Sequence, residues 1–140
     1  MPIESIIRKL IKDVPEVAAK VGDRVNAQRL PDGEPLPAIV YTRMPGAQFG
    51  CTMDGYDGFV RAEYRIDIWT EEARADDART IRDSIVQTLH CFKGSVTVDT
   101  ETFEIKVIKV TDAGAPDFEE PSRRARQMVE FYVHYVDNQL

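Results

Sequence analysis

Few residues of this chain combine the type and spacing that chemistry requires. It has two histidines, His90 and His134, and two cysteines, Cys51 and Cys91. His90 is followed by Cys91, and sequence neighbours do not readily ligate one metal with helical geometry. No His-x-x-x-His, Cys-x-x-Cys or two-His-one-carboxylate spacing occurs. Each histidine reads as a surface or satisfied core residue, and the cysteines as buried or half-buried free thiols. Asp54-Gly-Tyr-Asp-Gly58 resembles the start of a calcium loop, but its third position is Tyr56. Its twelfth is Arg65, where a bidentate Glu is needed. There is no Gly-x-x-x-x-Gly-Lys phosphate loop and no Gly-x-Ser-x-Gly elbow, and Ser5, Ser84, Ser95 and Ser122 have no histidine nearby in sequence. Acids are plentiful, but an acid–base pair needs a pocket to hold it. No catalytic, metal-binding or cofactor-binding residue is assigned.

Composition narrows the classes further. A net charge of −6 argues against an electrostatic grip on DNA or RNA, which requires clustered Lys and Arg. No apolar run approaches the ~20 residues of a membrane helix, and the opening Met-Pro-Ile-Glu has no basic leader region. The expectation is a cytoplasmic, reduced protein with no membrane partner, folded as one domain over residues 1–140.

The elements follow from periodicity. Ile3, Ile6, Ile7, Leu10, Ile11 and Val14 form one apolar stripe of an N-terminal helix, with Glu4 and Lys12 at the ends that suit the helix dipole. Pro15 interrupts that helix and opens a short second one, with Val17, Ala18 and Val21 inward and Gly22 as its left-handed cap. Val25–Leu30 reads as a short strand, 31–37 as a breaker-rich loop, Ala38–Met44 as a strand, and Pro45–Asp57 as a long connection. From Gly58 to Thr70 the chain alternates. Val60, Ala62, Tyr64, Ile66 and Ile68 fall on one face, and Arg61, Glu63, Arg65 and Asp67 on the other. This is the signature of a half-buried antiparallel strand. Trp69 falls on the charged side, where core packing is expected of it rather than ligand stacking.

A helix over 71–89 follows, N-capped by Thr70, with Ala78, Ile81, Ile85 and Leu89 inward and Val86 beside them. Asp76 and Asp77, among Arg74, Arg79 and Arg82, form its solvated face. Ser95–Val98 and Phe103–Val110 read as paired strands, Thr111–Ser122 as an acidic loop, and Arg124–Val136 as a last strand. That strand has Val129, Phe131, Val133 and Tyr135 on one face and Met128, Tyr132 and Val136 on the other. The fold class is α+β: an antiparallel or mixed sheet with the N-terminal helix and a second long helix packed on one face.

The ordered segments resemble the tail-completion, or tail-terminator, proteins of long-tailed phages and prophages. The resemblance rests on Val21-Gly-Asp-Arg-Val25, Leu30-Pro followed by Leu36-Pro-Ala-Ile-Val-Tyr41, Arg65-Ile-Asp-Ile-Trp-Thr70, Ala78-Arg-Thr-Ile-Arg82 and Glu130-Phe-Tyr-Val-His-Tyr-Val136. It implies a virion tail subunit without catalytic residues that forms a ring, commonly a hexamer, at the head-proximal end of the tail tube. There the ring stops tube polymerisation and meets the head connector. Its implied partners are further copies of itself, the major tail tube protein and the connector, with DNA passing through but not specifically bound.

The residues suggest where such contacts would lie. Apolar side chains on both faces of the last strand exceed what one helix layer consumes, which suggests an interface. The expected assembly residues are Phe49, Met53 and Tyr56 of the 45–57 connection, Arg61, Glu63 and Arg65 of the charged strand face, and the basic pair Arg123 and Arg124. Two other readings stay open at this level. One is a small-molecule or peptide binding module with the 45–57 segment as its lid and Tyr41, Tyr64 or Trp69 lining a pocket. The other is a small enzyme using an acid or His134.

Overall fold

A computed structural model of the chain describes residues 3–114, 117–119 and 123–137, with only the backbone of Glu119. The N-terminal stripe forms helix α1, Glu4–Lys12, and buries Ile6, Ile7, Leu10 and Ile11. Val14 turns extended and Pro15 opens α2, Pro15–Lys20. Gly22, at φ +63°, closes α2 by donating its N–H to the Val17 carbonyl at 2.9 Å. Val17 and Val21 are buried, but Ala18 is exposed, because six helical residues present only a narrow inward stripe.

Strand β1, Val25–Ala27, is shorter than the expected Val25–Leu30, since Gln28 takes a left-handed φ of +69° and ends it. It pairs in parallel with β2, Ala38–Arg43, which makes the sheet mixed. The 45–57 region is not an irregular connection. Gln48–Thr52 forms β3, a two-residue turn follows at Met53-Asp54, and Gly55 at φ +112° opens the seventeen-residue β4, Gly55–Glu71. Chain order continues with α3, Ala75–Leu89, then β5, Gly94–Val98, β6, Glu101–Ala113, β7, Asp117–Glu119, and β8, Arg124–Val136. The expected acidic loop is therefore partly strand, at both the end of β6 and β7; residues 115, 116 and 120–122 lie outside those described.

The sheet order is β1-β2-β4-β8-β6-β5, with β3 added to β4 and β7 to β8. β4 and β8 lie at its centre and pair without interruption from Phe59 opposite Val136 to Glu71 opposite Arg124. Directly paired residues share a face. Ala62, Tyr64, Ile66 and Ile68 therefore join Val129, Phe131 and Val133 on one side, where the helices bring Ile7, Ile11, Ile81 and Ile85 into the same core. Tyr64 stacks on Phe131, with ring centroids 5.8 Å apart. The α+β class with helices on one face is thus observed.

Thr70 does not cap a helix. β4 runs on through Glu71, a single 3-10 turn occupies Glu72–Arg74, and Thr70 points into the core with its hydroxyl unpartnered. Expected Ala78, Ile81, Ile85 and Leu89 are the buried residues of α3. Asp76 and Asp77 pair outward with Arg79 at 3.1 Å and Arg74 at 3.9 Å. Both cysteines are free and exposed, not buried, because Cys51 lies on edge strand β3 and Cys91 at φ +66° in the turn after α3. No helix among the described residues is long and apolar enough to cross a membrane.

Two expectations follow. Ile81 is fully buried between α3 and the sheet. Ile81→Ala should lower unfolding free energy by about 2–5 kcal/mol in a denaturant titration. Gly50 faces the Asp57 carboxylate so closely that an added Cβ would collide with it, and that carboxylate accepts the Phe59 N–H at 3.1 Å. Gly50→Ala should loosen the β3–β4 hairpin by roughly 1–3 kcal/mol. The measurable sign is faster hydrogen exchange in the hairpin while the amides of β8 stay protected.

Candidate assembly interface

β4 is longer than the strand beside it. β8 ends opposite Phe59, so Gly55–Gly58 and the β3 residues paired with them project past it as a two-stranded arm. The arm is anchored at its base. The Asp137 N–H donates to the Gly58 carbonyl at 2.7 Å, and the Tyr56 hydroxyl donates to the Asp137 carbonyl at 2.6 Å. Burial, helped by the carboxylates of Asp137 and Asp57, holds the Tyr56 hydroxyl above the ordinary tyrosine pKa, so it stays a donor at neutral pH.

This anchored arm and the paired residues at its base, Phe49 opposite Val60 and Phe59 opposite Val136, carry unburied apolar side chains. Phe49 is 56% exposed, Met53 105%, Tyr56 42% and Phe59 45%. Phe49 and Tyr56 meet edge to face at 6.3 Å between centroids. Phe49 and Tyr56 are thus in contact, Met53 lies in the turn at the tip, and Phe59 is exposed at the base on the other face. Phe59 belongs to the outward set of β4, the class reserved in the alternation for charges, so the pattern hid it.

Arg61, Glu63 and Arg65 lie on the outer face of the sheet, opposite the helices. They form a row with neighbours of their own: Arg61 to Glu63 at 3.7 Å, and Arg65 to Asp67 at 3.3 Å. The Arg61 guanidinium also covers the Tyr132 ring at 4.0 Å, and Tyr132 meets His134 edge to face at 5.0 Å. Burial and the nearby Arg61 charge both hold His134 below the ordinary histidine pKa, so it is neutral at pH 7. Asp67 is not solvated as the alternation predicts. It is buried between Val40 and Met128, its partners across β2 and β8, with one carboxylate oxygen unpartnered.

Arg123 and Arg124 lie at the other end of β4 from the arm, opposite Glu71 and the turn after it. Arg123 pairs with Glu72 at 3.4 Å. Arg124 and Arg126 lie over the Trp69 ring at 4.9 and 5.7 Å, and Arg126 also pairs with Asp117 at 2.8 Å. Trp69 is therefore a half-buried outer-face residue between two guanidiniums, not core. Phe118 beside it is 57% exposed, a second apolar residue missed because it lay in the expected acidic loop. The remaining acid of that stretch, Glu120, lies outside the described residues. The expected interface set thus splits into an apolar arm, a self-paired charged face and a basic-aromatic end. Of the aromatic residues expected to line a pocket, Tyr41 and Tyr64 point into the core, while Trp69 borders a surface cleft with Leu30, Pro31 and Arg124.

Comparisons with known proteins place this architecture. Over residues 5–129 the chain matches the family model described as tail completion protein gp17. No curated protein sequence matches it. Among solved structures, a chain from the virion of a native gene transfer agent particle superposes with a TM-score of 0.67 at 15% identity, covering 93% of this chain and 91% of that one. A second solved chain gives a TM-score of 0.57 at 12% identity, covering 98% and 96%. At these identities the structural matches show a shared fold, while the family match extends over most of the chain. The protein belongs to the tail completion protein gp17 family and is a structural component of a phage tail.

Proposed function

We propose that the protein forms a closed ring, a hexamer, at the head-proximal end of the tail tube, where it stops tube polymerisation and presents a surface to the head connector. Family membership supplies the setting. The observation that carries the reading is the β3–β4 arm. Four large apolar side chains on an ordered, hydrogen-bonded projection and its base are a poor surface for a solitary soluble subunit and a good one for burial against a protein partner. We assign Phe49, Met53 and Tyr56 to contact with the tube protein or a neighbouring subunit.

The charged rows suit the same role. Arg61, Glu63 and Arg65 are partnered within the sheet face and leave little unpaired positive charge to hold a phosphate backbone. With a net charge of −6, such a ring would let DNA pass without retaining it. The activity is thus assembly, not catalysis.

The test replaces Phe49, Met53 and Tyr56 together with Ser. The exposed Phe49 and Met53 changes should each alter stability by no more than about 0.5 kcal/mol. Tyr56→Ser, which also removes the bond to the Asp137 carbonyl, should cost about 0.5–1.5 kcal/mol, so the circular dichroism spectrum should hold and the melting temperature fall only modestly. Tail tubes incubated with the variant should lose capped ends and grow past their normal length. Native mass measurement of the wild-type chain should show a ring, alone or with tubes. A wild-type chain that stays monomeric in both conditions would refute the ring, and a triple variant that still caps tubes would remove the arm from the contact.

A further inference from the structure

Uncharged, unpaired strand edges are rare on soluble proteins, which usually protect them with lysines, prolines, bulges or extreme shortness. Among the described residues, two of the strands that edge this sheet, β1 and β7, are three residues long. The other two, β3 and β5, are each five residues long and read Gln-Phe-Gly-Cys-Thr and Gly-Ser-Val-Thr-Val. Neither contains a charge or a proline; β5 pairs in regular register along its length, while the β3–β4 register shifts once, between Phe49 and Cys51. They lie on opposite sides of one sheet, β3 outside β4 and β5 outside β6.

Their relative placement is specific. β3 is antiparallel to β4, β4 to β8, β8 to β6, and β6 to β5. Four reversals leave β3 and β5 running in the same direction. They also stand at one level, since a single ladder row passes from Phe49 through Val60, Tyr135 and Ile105 to Gly94. A rotation about an axis roughly along the strands therefore carries the β5 edge of one subunit onto the β3 edge of the next, in parallel and at matching height. Such a contact joins two different surfaces, so it repeats head to tail, and it closes into a ring where the rotation between neighbours divides a full turn.

The β5 edge has the polar groups for this. The two-residue turn Asp99-Thr100 makes Val98 and Glu101 the closing bonded pair, so Ser95 and Thr97 fall in the intervening non-bonded pairs. The 2.7 Å approach of the Thr97 and Thr102 hydroxyls fits that close spacing. Ser95 and Thr97 thus aim their backbone N–H and C=O groups away from β6. α1 passes β5 on the inner side, where Val96 is buried, while Ser95 and Thr97 are exposed.

We infer that β5 of one subunit adds as a parallel strand to β3 of a second copy of the chain, so that neighbouring sheets continue through backbone hydrogen bonds around the ring. The inference rests on the ring reading and names the contact that would build it. At matching height Thr52 of β3 lies level with Thr97 of β5, both exposed on the outer face, whereas Cys51 shares the inner face with Phe49. In a Cys51→Ser, Cys91→Ser background, Thr52→Cys is combined with Ser95→Cys or with Thr97→Cys, and with Lys109→Cys, an outer-face residue of β6, as control. Mild oxidation of the assembled species should convert the β5 variants into a ladder of covalent oligomers up to the ring mass, because strand neighbours lie within disulfide reach. The control should give only background. Thr97→Pro, which removes an outward N–H and none of the β5–β6 bonds, should shift assemblies to monomer while the circular dichroism spectrum holds.

Rings that form without cross-links at either β5 position, or that cross-link equally from Lys109→Cys, would overturn the edge pairing and leave the ring standing. A Thr97→Pro chain that still closes rings would do the same. A wild-type chain that never forms rings would overturn both readings.

Discussion

The fold depends on the antiparallel pairing of β4 with β8. These two strands meet over thirteen residue pairs, from Phe59 with Val136 to Glu71 with Arg124. Pairing of that length commits every side chain on both strands to a face, because a slip of one residue would move the whole apolar set to the wrong side. The committed inward set is Ala62, Tyr64, Ile66, Ile68, Val129, Phe131 and Val133, and the helices need only supply a matching stripe. β2, β6, β3 and β7 then attach to the outer edges of this pair. The arm exists because β4 is seventeen residues long and β8 thirteen, so the surplus at the Gly55 end has no partner on that side.

The same logic explains what could be read from the residues and what could not. β8 was legible to its end residues, and most of β4 was too, because burial on one face imprints period two. β3 left no such imprint. Gln48–Thr52 is largely exposed on both sides, so nothing selected for alternation, and its glycine pointed to a loop. β7 failed for the same reason. Thr70 looked like a cap since it stands before acids and an apolar helical stripe, yet a buried place opposite Ala125 in the central pair outweighed capping. Asp67 follows the alternation correctly in direction. Its burial depends on Val40 and Met128, strand neighbours from distant parts of the chain that no local pattern reveals. The arm's apolar residues were picked out by type, but their concentration on one anchored projection needed Tyr56 and Asp137 to be brought together across eighty-one positions.

The surface divides by the kind of contact each part supports. Charges on the outer face satisfy one another at short range, Arg61 with Glu63, Arg65 with Asp67 and Arg126 with Asp117. The exposed pairs among these contribute little stability, unlike the one that holds the buried Asp67, and together they leave a face with few uncommitted charges to recruit a partner. On the proposed reading, specific affinity comes from the apolar side chains of the arm, the aromatic rings of Trp69 and Phe118, and the backbone of the two uncharged edges. Aromatic and arginine side chains are the types that dominate binding energy at protein interfaces, and here they gather at opposite ends of β4.

That polarity has a consequence for a protein that must meet unlike partners. A subunit whose contacts lay on the broad sheet face would stack face to face, pairing with itself in twos. Contacts placed at the two ends of the central strands, with strand edges between them, keep three directions distinct: one end, the other end, and sideways. In the proposed ring, sideways contact between different edges repeats from copy to copy and closes where the rotation divides a full turn. The two ends of that ring's subunit take different partners, since the apolar arm and the arginine-flanked tryptophan present different chemistry. On the proposed reading, that inequality lets a ring present one surface to a tube and another to a connector, and no added subunit can copy the surface it has just covered.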